Sequence, residues 1–355
     1  MTESATVKGM KLAVGFMPSG NDFTEMAEFV KGAEELGVDQ VWMPEAYGTD
    51  AVSILGWLAA QTNRIKLGSA ILQMPARAPA MTAMTGATLD LLSGGRALLG
   101  IGLSGPQVAE GWYGQPYTKP IQRTREYIEI MRMIWDREER LSYDGEVYKL
   151  PAEGGKGLGK PLKLMFKPSR PLPVYLASLG PKNVALTAEL ADGWLPAFFV
   201  PDRIDVFTDA LKEGAARSGR DLSTLDIVVG ATIAIGDDVP IDAVRSMSKM
   251  PVGFYIGGMG AREANFYNDL ACRYGYEKEA KEIQDLFLSG KKQEAMALVP
   301  DSLVDSMGLW GDKSRILDRL DVYREAGVTT LNCQVGGSID ARLEQIRRLI
   351  ELAGD

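Results

Sequence analysis

The groups available for chemistry in this chain are carboxylates, tyrosines, lysines, serines and amides, because its 355 residues include no histidine. Histidine is the usual general acid or base and the commonest metal ligand in enzymes. Its absence excludes a Ser-His-Asp hydrolase, a histidine-ligated zinc enzyme and a histidine-based dehydrogenase. Hydride transfer by a bound cofactor remains suitable, since the cofactor then carries out the difficult step.

Several of these groups follow the ends of predicted strands, where the catalytic residues of α/β barrels lie. Glu45 ends the second predicted strand, and aromatic residues follow this and other strands at Tyr47, Trp112, Tyr113 and Phe198. A single aromatic residue is more often part of the packing, but a cluster of rings suits a flat apolar ligand. We therefore predict that these four aromatic residues contact the substrate.

The sequence Gly100-Ile-Gly-Leu-Ser-Gly105 matches the G-x-G-x-x-G pattern of dinucleotide-binding folds. That pattern usually opens such a fold, whereas three βα units precede it here. Pro106 follows directly, and no acidic residue ends a next strand about 20 residues on. Glycines at a strand end are instead able to let a flat ring approach the backbone closely.

The segment from Ala177 through Ser178, Leu179 and Gly180 to Pro181 ends the fifth predicted strand and opens a helix. Proline in the first turn is typical of a helix start, and the free backbone N–H groups there favour an anion. Barrels often bind phosphate at such a junction in their second half. A phosphate site and an ordinary βα turn both fit this segment.

Five basic residues and no acidic residue lie between Gly154 and Arg170, in a chain of net charge −8. They are Lys156, Lys160, Lys163, Lys167 and Arg170. One interpretation is a lid that attracts an anionic ligand, and the other is a solvated loop.

Short apolar runs alternate with amphipathic stretches along the whole chain, which predicts parallel strands joined by helices. Eight such units favour a closed α/β barrel of the (β/α)8, or TIM, type over an open sheet. We predict one domain over residues 1–355, with insertions after strands four and seven. These are a lid segment at 139–172 and a mostly helical stretch at 241–326 before strand eight. The predicted strands are Leu12–Met17, Gln40–Pro44, Ile65–Leu72, Ala97–Leu103, Pro173–Ser178, Trp194–Val200, Ile227–Ile235 and Thr330–Val335.

Composition limits the partners and the compartment. The net charge of −8 and a pI near 5.0 argue against binding to nucleic acid or to a membrane surface. No apolar run approaches the roughly 20 residues of a membrane span. The two cysteines, Cys272 and Cys333, match no metal-ligand spacing, so we expect no metal site and a cytoplasmic protein with reduced thiols.

These residues together resemble the luciferase-like monooxygenase superfamily, and most closely its branch of F420-dependent oxidoreductases. The resemblance runs over nearly the whole chain. Its most specific stretches are Leu91–Arg96, Ser104–Pro116, Gly180–Leu186 and Ala191–Pro196.

The resemblance implies a deazaflavin coenzyme, F420, at the carboxyl-terminal face of the barrel, with FMN as the alternative cofactor, and a homodimer. It implies a non-prolyl cis peptide bond between Ala70 and Ile71, next to Ser69, in a bulge that backs the ring. The coenzyme phosphate would lie on the backbone of Ser178–Pro181. The implied cofactor-binding residues are Glu45, Ser69, Ala70, Ile71, Ser104, Gly105, Gln107, Ala177, Ser178, Leu179, Gly180 and Pro181.

The chain departs from some relatives at the residues that handle protons. F420-dependent glucose-6-phosphate dehydrogenases place a histidine after strand two and a glutamate after strand four. This chain lacks the histidine, and Pro106-Gln107 stands in the region of the glutamate. Gln107 is able to hold the ring but not to donate a full proton. Many relatives have histidine where Tyr113 stands, and a tyrosine there would hydrogen-bond or protonate a substrate oxygen. We predict Gln107 and Tyr113 as the catalytic residues, Gln107 through its hold on the ring and Tyr113 through the substrate oxygen.

The predicted reaction is hydride transfer between C5 of the deazaflavin and a small organic substrate, either an alcohol or carbonyl compound or an activated alkene. An FMN-dependent luciferase-like monooxygenase is a first alternative. A non-redox barrel enzyme acting on a phosphorylated substrate is a second, which would need a lysine or carboxylate at a strand end. Glu45 meets that requirement, and no strand-end lysine does.

Overall fold

The computed structural model describes residues 4–16, 23–237 and 239–354. The predicted end of the first strand, Met17, lies outside them. The described strands are β1 (Thr6–Val7), β2 (Met10–Gly15), β3 (Gln40–Met43), β4 (Lys66–Ser69), β5 (Leu72–Gln73), β6 (Ala97–Gly102), β7 (Tyr143–Asp144), β8 (Lys149–Leu150), β9 (Val174–Leu176), β10 (Gly193–Trp194), β11 (Asp226–Ile235), β12 (Gly308–Gly311) and β13 (Thr330–Gln334).

The described helices surround these strands. They are α1 (Thr24–Glu35), α2 (Ala51–Gln61), α3 (Pro79–Ser93), α4 (Pro106–Gly111), α5 (Pro120–Asp136), α6 (Pro181–Leu190), α7 (Asp205–Ser218), α8 (Ile241–Gly258), α9 (Phe266–Arg273), α10 (Glu277–Leu288), α11 (Lys292–Ala297), α12 (Asp301–Met307), α13 (Lys313–Glu325) and α14 (Ile339–Ala353), with short 3-10 helices at Met74–Ala76, Pro201–Arg203 and Leu222–Thr224. In the ranges that the structure describes, no helix is both long and apolar enough to cross a bilayer.

Eight of the described strands run parallel and close into a barrel. Their order is β2, β3, β4, β6, β9, β10, β11 and β13, and β13 pairs with β2 again. At the closure, Leu331 lies opposite Leu12, and Val14 lies opposite Val41 on the other side of β2. The strands are buried apolar runs because helices cover the outside of the barrel. The predicted (β/α)8 barrel is thereby confirmed.

Local signals set where the helices meet the strand ends. The Asp50 carboxylate accepts a hydrogen bond from the Ser53 N–H at 2.7 Å and so caps α2. Pro79 and Pro181 occupy the first turns of α3 and α6, where a missing N–H costs nothing. Gly94 ends α3 with a φ of 68°, a left-handed conformation that favours glycine.

The segment after β11 contains a strand as well as the predicted helices. β11 pairs with β13 as far as Thr232, and its residues from Thr232 to Ile235 pair with β12. The run Gly308–Gly311 has only two apolar residues between its glycines, so it carries no alternation that would indicate a strand. The neighbouring edge of the long strand β11 supplies the hydrogen-bonding partner that this short run needs.

The basic segment between Gly154 and Arg170 does not lie where a lid over the strand ends would lie. Arg170 donates to the Asp90 carboxylate near the end of α3 and to the Ala97 carbonyl at the start of β6. Lys163 donates to the Glu138 carbonyl just beyond α5. Since strands start and outer helices end at the amino-terminal edge of the barrel, these contacts hold the Lys163–Arg170 end of the segment at the edge opposite the strand ends. They favour the solvated loop over the lid for this end of the segment.

Candidate active site

A cavity of about 1680 Å³ opens at the carboxyl-terminal edge of the barrel. Residues from strands on opposite sides of the barrel line it, among them Gly15 on β2 and Leu176 on β9. Barrel enzymes place their active sites at this edge. Since the pocket for a single small ligand typically measures roughly 300–1,000 Å³, this cavity has room for a cofactor and a substrate together.

Most of the residues predicted from the sequence come together around this cavity. They are distant in the chain but share one surface because the carboxyl ends of parallel strands meet at the same edge. The predicted residues in the lining are Glu45, Tyr47, Ala70, Ile71, Ser104, Gly105, Gln107, Trp112, Ala177, Ser178, Leu179, Gly180, Pro181 and Phe198.

Two predicted site residues, Ser69 and Tyr113, lie outside the lining. Ser69 is fully buried, and its hydroxyl donates to the Gly100 carbonyl at 2.8 Å, so it ties β4 to β6. Tyr113 follows the short helix α4, and burial, followed by the charge of Glu45, raises the pKa of its phenol. Ser69 thus has a structural role between β4 and β6, and the contacts of Ser69 with a cofactor and of Tyr113 with the substrate stay predictions.

Glu45 lines the cavity, but protein groups engage both of its carboxylate oxygens. The Arg77 guanidinium donates to both, with 2.9 Å between Nη2 and Oε2. The Ala51 N–H, at the start of α2, donates to Oε2 at 3.1 Å. Glu45 therefore fixes the loop after β3 and is not a free base.

The end of β4 and the end of β6 form one wall of the cavity. The peptide bond between Ala70 and Ile71 is cis, as the resemblance implies, and both residues line the cavity. Gly102 stands beside them on β6, where an added Cβ would come within 2.7 Å of the Ile71 Cδ1 atom. The missing side chain leaves an open backbone surface, which suits the face of a flat ring.

The junction between β9 and α6 lines the cavity and carries two backbone donors without a described protein acceptor. The Trp194 indole donates to the Ser178 carbonyl at 3.0 Å, and Arg273 donates to the Leu179 carbonyl at 2.6 Å. In a trans peptide the following N–H points the opposite way. In the described residues no protein acceptor takes the N–H of Leu179 or Gly180, so both are available to an anion at the start of α6.

Two amides that sequence reasoning missed present unpartnered oxygens in this region. Gln73, only 5% exposed, donates from Nε2 to the Glu45 carbonyl at 3.1 Å, while its buried Oε1 atom has no hydrogen-bonding partner among the described residues. The buried Oδ1 atom of Asn332 on β13 likewise lacks one. Both residues line the cavity. Because buried polar atoms are normally paired, these oxygens indicate a ligand with polar hydrogens.

Aromatic residues form the other side of the cavity, and several come from the segment after β11, which had no predicted role. Phe198, after β10, has its ring centroid 5.0 Å from that of Tyr255 and 5.7 Å from that of Tyr267. Phe254 and Trp310 complete this wall. No sequence signal pointed to α8 or α9, because their aromatic residues follow a long helical stretch and not a strand end.

The charged residues of the lining leave little scope for acid–base chemistry. Among the described residues, Glu45 is the only carboxylate in the lining, and Arg77 pairs with it. Lys182 is exposed in the first turn of α6, and Arg342 lies over the Phe16 ring at 5.3 Å. The arrangement can hold a flat ring, an anion and an apolar molecule.

The amino-acid sequence matches the family described as luciferase-like monooxygenase over residues 6–330. A Mycobacterium tuberculosis protein, whose name assigns it provisionally to the coenzyme F420-dependent oxidoreductases, is 43% identical over an alignment of 354 residues that covers 97% of this chain and 99% of that protein. A 5,10-methylenetetrahydromethanopterin reductase of Archaeoglobus fulgidus is 30% identical over 326 residues, covering 90% of this chain and 92% of the relative.

Solved structures share the architecture. The coenzyme F420 dependent tetrahydromethanopterin reductase of Methanopyrus kandleri superposes with a TM-score of 0.76 at 24% sequence identity, over 96% of this chain and 97% of the other. At this identity the likeness concerns the fold alone, and it agrees with the closed barrel.

Proposed function

We propose, from the premise that this chain belongs to the luciferase-like monooxygenase family, that it is a coenzyme F420-dependent oxidoreductase. It transfers a hydride between C5 of the deazaflavin and a small organic substrate, which is an alcohol or carbonyl compound or an activated alkene. The observation that carries the choice of coenzyme is the relative that is 43% identical along almost the whole chain and whose name assigns it provisionally to the coenzyme F420-dependent oxidoreductases.

The cavity fits a deazaflavin in three respects. Ala70, Ile71 and Gly102 offer backbone and small side chains to the face of a flat ring. The unpartnered Gln73 oxygen offers an acceptor for an N–H of the pyrimidinedione. The free N–H groups of Leu179 and Gly180 offer donors for the phosphate, beside Lys182.

The protein contributes binding, orientation and exclusion of water, while the bound deazaflavin supplies the carbon that gives or takes the hydride. Ser104, Gly105 and Gln107 extend the ring-binding wall beyond β6. The Glu45–Arg77 pair holds this edge rigid. Tyr47 and Trp112, with ring centroids 6.4 Å apart, border the opening through which a substrate enters.

The charged groups of the cavity disfavour the non-redox alternative. Such an enzyme needs a free carboxylate or a lysine at a strand end. Glu45 is paired with Arg77, and Lys182 lies on the first turn of a helix. The other alternative, an FMN-dependent monooxygenase, would have the same fold. A comparison of F420 and FMN binding to the protein decides between the two coenzymes.

Coenzyme turnover tests the proposal. Oxidised F420 is mixed with a panel of primary and secondary alcohols, and reduced F420 with ketones and enones, with and without the protein. We expect a protein-dependent change in deazaflavin absorbance with at least one member. A protein that binds F420 but turns over no member of either panel would contradict the proposed substrate classes.

We also propose a homodimer, supported by an apolar stripe on α3. Met81, Met84, Leu91 and Leu92 are each more than half exposed, and their spacing places them along one side of the helix. Exposed apolar surface of this kind marks interfaces. Light scattering on the purified protein is expected to give twice the chain mass, and M84E together with L91E to give the mass of one chain.

A cytoplasmic location completes the proposal. Cys272 and Cys333 are both free thiols, as is usual in a reducing compartment. Complete burial raises the pKa of Cys333 to about 12, so that thiol stays protonated.

A further inference from the structure

The aromatic wall of the cavity offers hydroxyl groups that no described protein group uses. The Tyr255 and Tyr267 rings contact each other edge to face, with centroids 4.7 Å apart. Both residues line the cavity. Across residues 4–16, 23–237 and 239–354, neither hydroxyl has a hydrogen-bonding partner. Phenol groups inside proteins usually find a partner, so the wall is complementary to a ligand that carries a polar atom.

Tyr255 is the better placed of the two tyrosines. Burial raises the pKa of its phenol, and the nearby Tyr47 raises it further. Tyr47 follows β3, on the same side of the barrel as Glu45. Among the described residues, the Tyr255 ring contacts Phe198, Phe254 and Tyr267, and so lies at the centre of the aromatic wall. Its raised pKa keeps the hydroxyl protonated, and thus a donor, at neutral pH.

The surroundings of Tyr255 are apolar. Phe198 and Phe254 have ring centroids 5.0 and 5.7 Å from that of Tyr255. The two basic residues of the lining are occupied elsewhere, since Lys182 lies at the anion junction and Arg342 stacks on Phe16 and donates to the Gly337 carbonyl. A charged substrate would find no opposite charge beside Tyr255 in the described lining.

We propose that Tyr255 donates a hydrogen bond to the oxygen of an apolar ketone or aldehyde held in the aromatic wall, and gives that oxygen its proton on reduction. The inference rests on the proposed function and narrows its substrate class. It assigns substrate recognition to the segment after β11, through α8.

The step balances with reduced deazaflavin as the reductant. A bond forms between the hydride from C5 and the carbonyl carbon, and the π pair of the C=O bond moves to oxygen. That oxygen takes the Tyr255 hydroxyl proton, because an alkoxide is far more basic than a phenolate. Water returns a proton to the tyrosinate. The ketone is reduced to an alcohol, and the deazaflavin is oxidised and loses its N–H proton to solvent.

A binding experiment tests the hydrogen bond without turnover. Acetophenone and its hydrocarbon isostere α-methylstyrene are titrated into protein saturated with oxidised F420, which does not reduce a ketone. We expect Y255F to weaken acetophenone binding roughly two- to tenfold and to leave α-methylstyrene binding unchanged. Y267F is expected to affect both ligands equally. Y276F, which removes a hydroxyl bonded to Ser302 outside the cavity, is the unchanged control.

A kinetic experiment tests the proton. With reduced F420 and acetophenone, we expect Y255F to lower kcat/KM about 100-fold, mostly through kcat, since a general acid contributes at least this much. A loss of kcat/KM in Y267F as large as that in Y255F would overturn the inference. Binding of both ligands to Y255F as tightly as to wild type would also overturn it. Tighter binding of glucose 6-phosphate than of acetophenone would also overturn it.

Coenzyme binding separates this inference from the proposed function. The affinity for F420 is measured first, without a ketone. If F420 fails to bind, the proposed function fails, and the two ligands are then titrated into the protein alone to decide the role of Tyr255. If F420 binds equally to wild type and Y255F, but Y255F weakens acetophenone binding no more than α-methylstyrene binding, only the inference fails.

Discussion

At the scale of single residues, Gln73 offers the sharpest link between the fold and the proposed coenzyme. Its Nε2 atom is fixed to the Glu45 carbonyl at 3.1 Å, so the side chain cannot easily turn away. Its Oε1 atom is buried and has no partner within the described ranges. We infer that a ligand N–H completes this site, since leaving a buried acceptor unpaired costs about 1–3 kcal/mol.

Replacing Gln73 by methionine is expected to weaken F420 binding roughly two- to tenfold, because the length of the side chain is kept while the amide acceptor is lost. The measurement is a titration of oxidised coenzyme followed by deazaflavin fluorescence. Q115L, at an exposed glutamine outside the main cavity, is the control and should bind as wild type does. An unchanged affinity in Q73M would show that the oxygen does not meet the coenzyme.

The sequence predicts residues of the site where type and position form a pattern. Glu45 and Ser178 follow strands, and Pro181 opens a helix, so each carries a positional signal. Gln73 and Asn332 carry none, because a single amide in an apolar strand looks the same whether it faces a cavity or a neighbour. Tyr255 was missed for a related reason, since only the closed fold brings α8 to the strand ends.

At the scale of elements, the fit between β4 and β6 depends on two glycines. An added Cβ at Gly100 would lie 1.9 Å from the Ser69 carbonyl oxygen, whereas one at Gly102 would lie 2.7 Å from the end of the Ile71 side chain. The Ser69 backbone cannot move aside, whereas the end of the Ile71 side chain can rotate away. The two glycines therefore have different tolerances for the same substitution.

G100A is expected to lower the free energy of unfolding by at least about 1–3 kcal/mol, because a backbone atom must shift. G102A is expected to cost less stability and to weaken coenzyme binding by narrowing the ring-binding wall. Chemical denaturation and F420 titration measure the two effects. G48A, where an added Cβ meets nothing within 4 Å, is the control, and equal destabilisation in all three variants would contradict this account.

A polar network near the start of β11 joins four strands. The Asp226 carboxylate accepts hydrogen bonds from Gln40 at 3.2 Å, Tyr175 at 2.8 Å and Thr330 at 2.8 Å. Burial alone would raise the pKa of Asp226, but the donors Thr329, Tyr175 and Thr330 lower it overall. The folded state thus binds this proton less readily than the unfolded state, where the pKa is about 3.9.

The network predicts a pH-dependent stability. The contribution of Asp226 is fully present above the unfolded pKa and is lost as the pH falls through the lower, folded pKa. D226N should therefore be less stable than wild type at pH 7, and the difference should shrink below about pH 4. Urea unfolding at pH 7, 5 and 3.5 measures it. D242N, at an exposed aspartate, should show no such convergence, and a difference in D226N that stays constant with pH would refute the role of the network.

Element boundaries show where sequence patterns lose information. The helix predicted to open at Pro181 does begin there in the structure, as α6, because proline marks its start. The predicted strand Trp194–Val200 is instead β10 at Gly193–Trp194, since an apolar run also describes a buried loop. β12 depends on its partner β11, and such long-range pairing leaves no local signal.

At the scale of the whole molecule, the position of charge does not follow from composition. The basic segment is a conspicuous feature of the sequence, and the ion pair between Arg170 and Asp90 holds its last residue at the amino-terminal edge of the barrel. Composition identifies a charged segment but cannot place it, because its position follows from the path of the chain after α5. The barrel itself was predictable, since eight repeated units constrain the topology.

The choice between F420 and FMN depends on the whole cavity, and a direct binding comparison tests it. Oxidised F420 and FMN are titrated separately into the purified protein under identical conditions, and Q73M and wild type are compared for each. We expect saturable binding of F420 that Q73M weakens, and no binding of FMN at the same concentrations. Tight binding of FMN without binding of F420 would contradict it and would make the protein a flavin enzyme of the same fold.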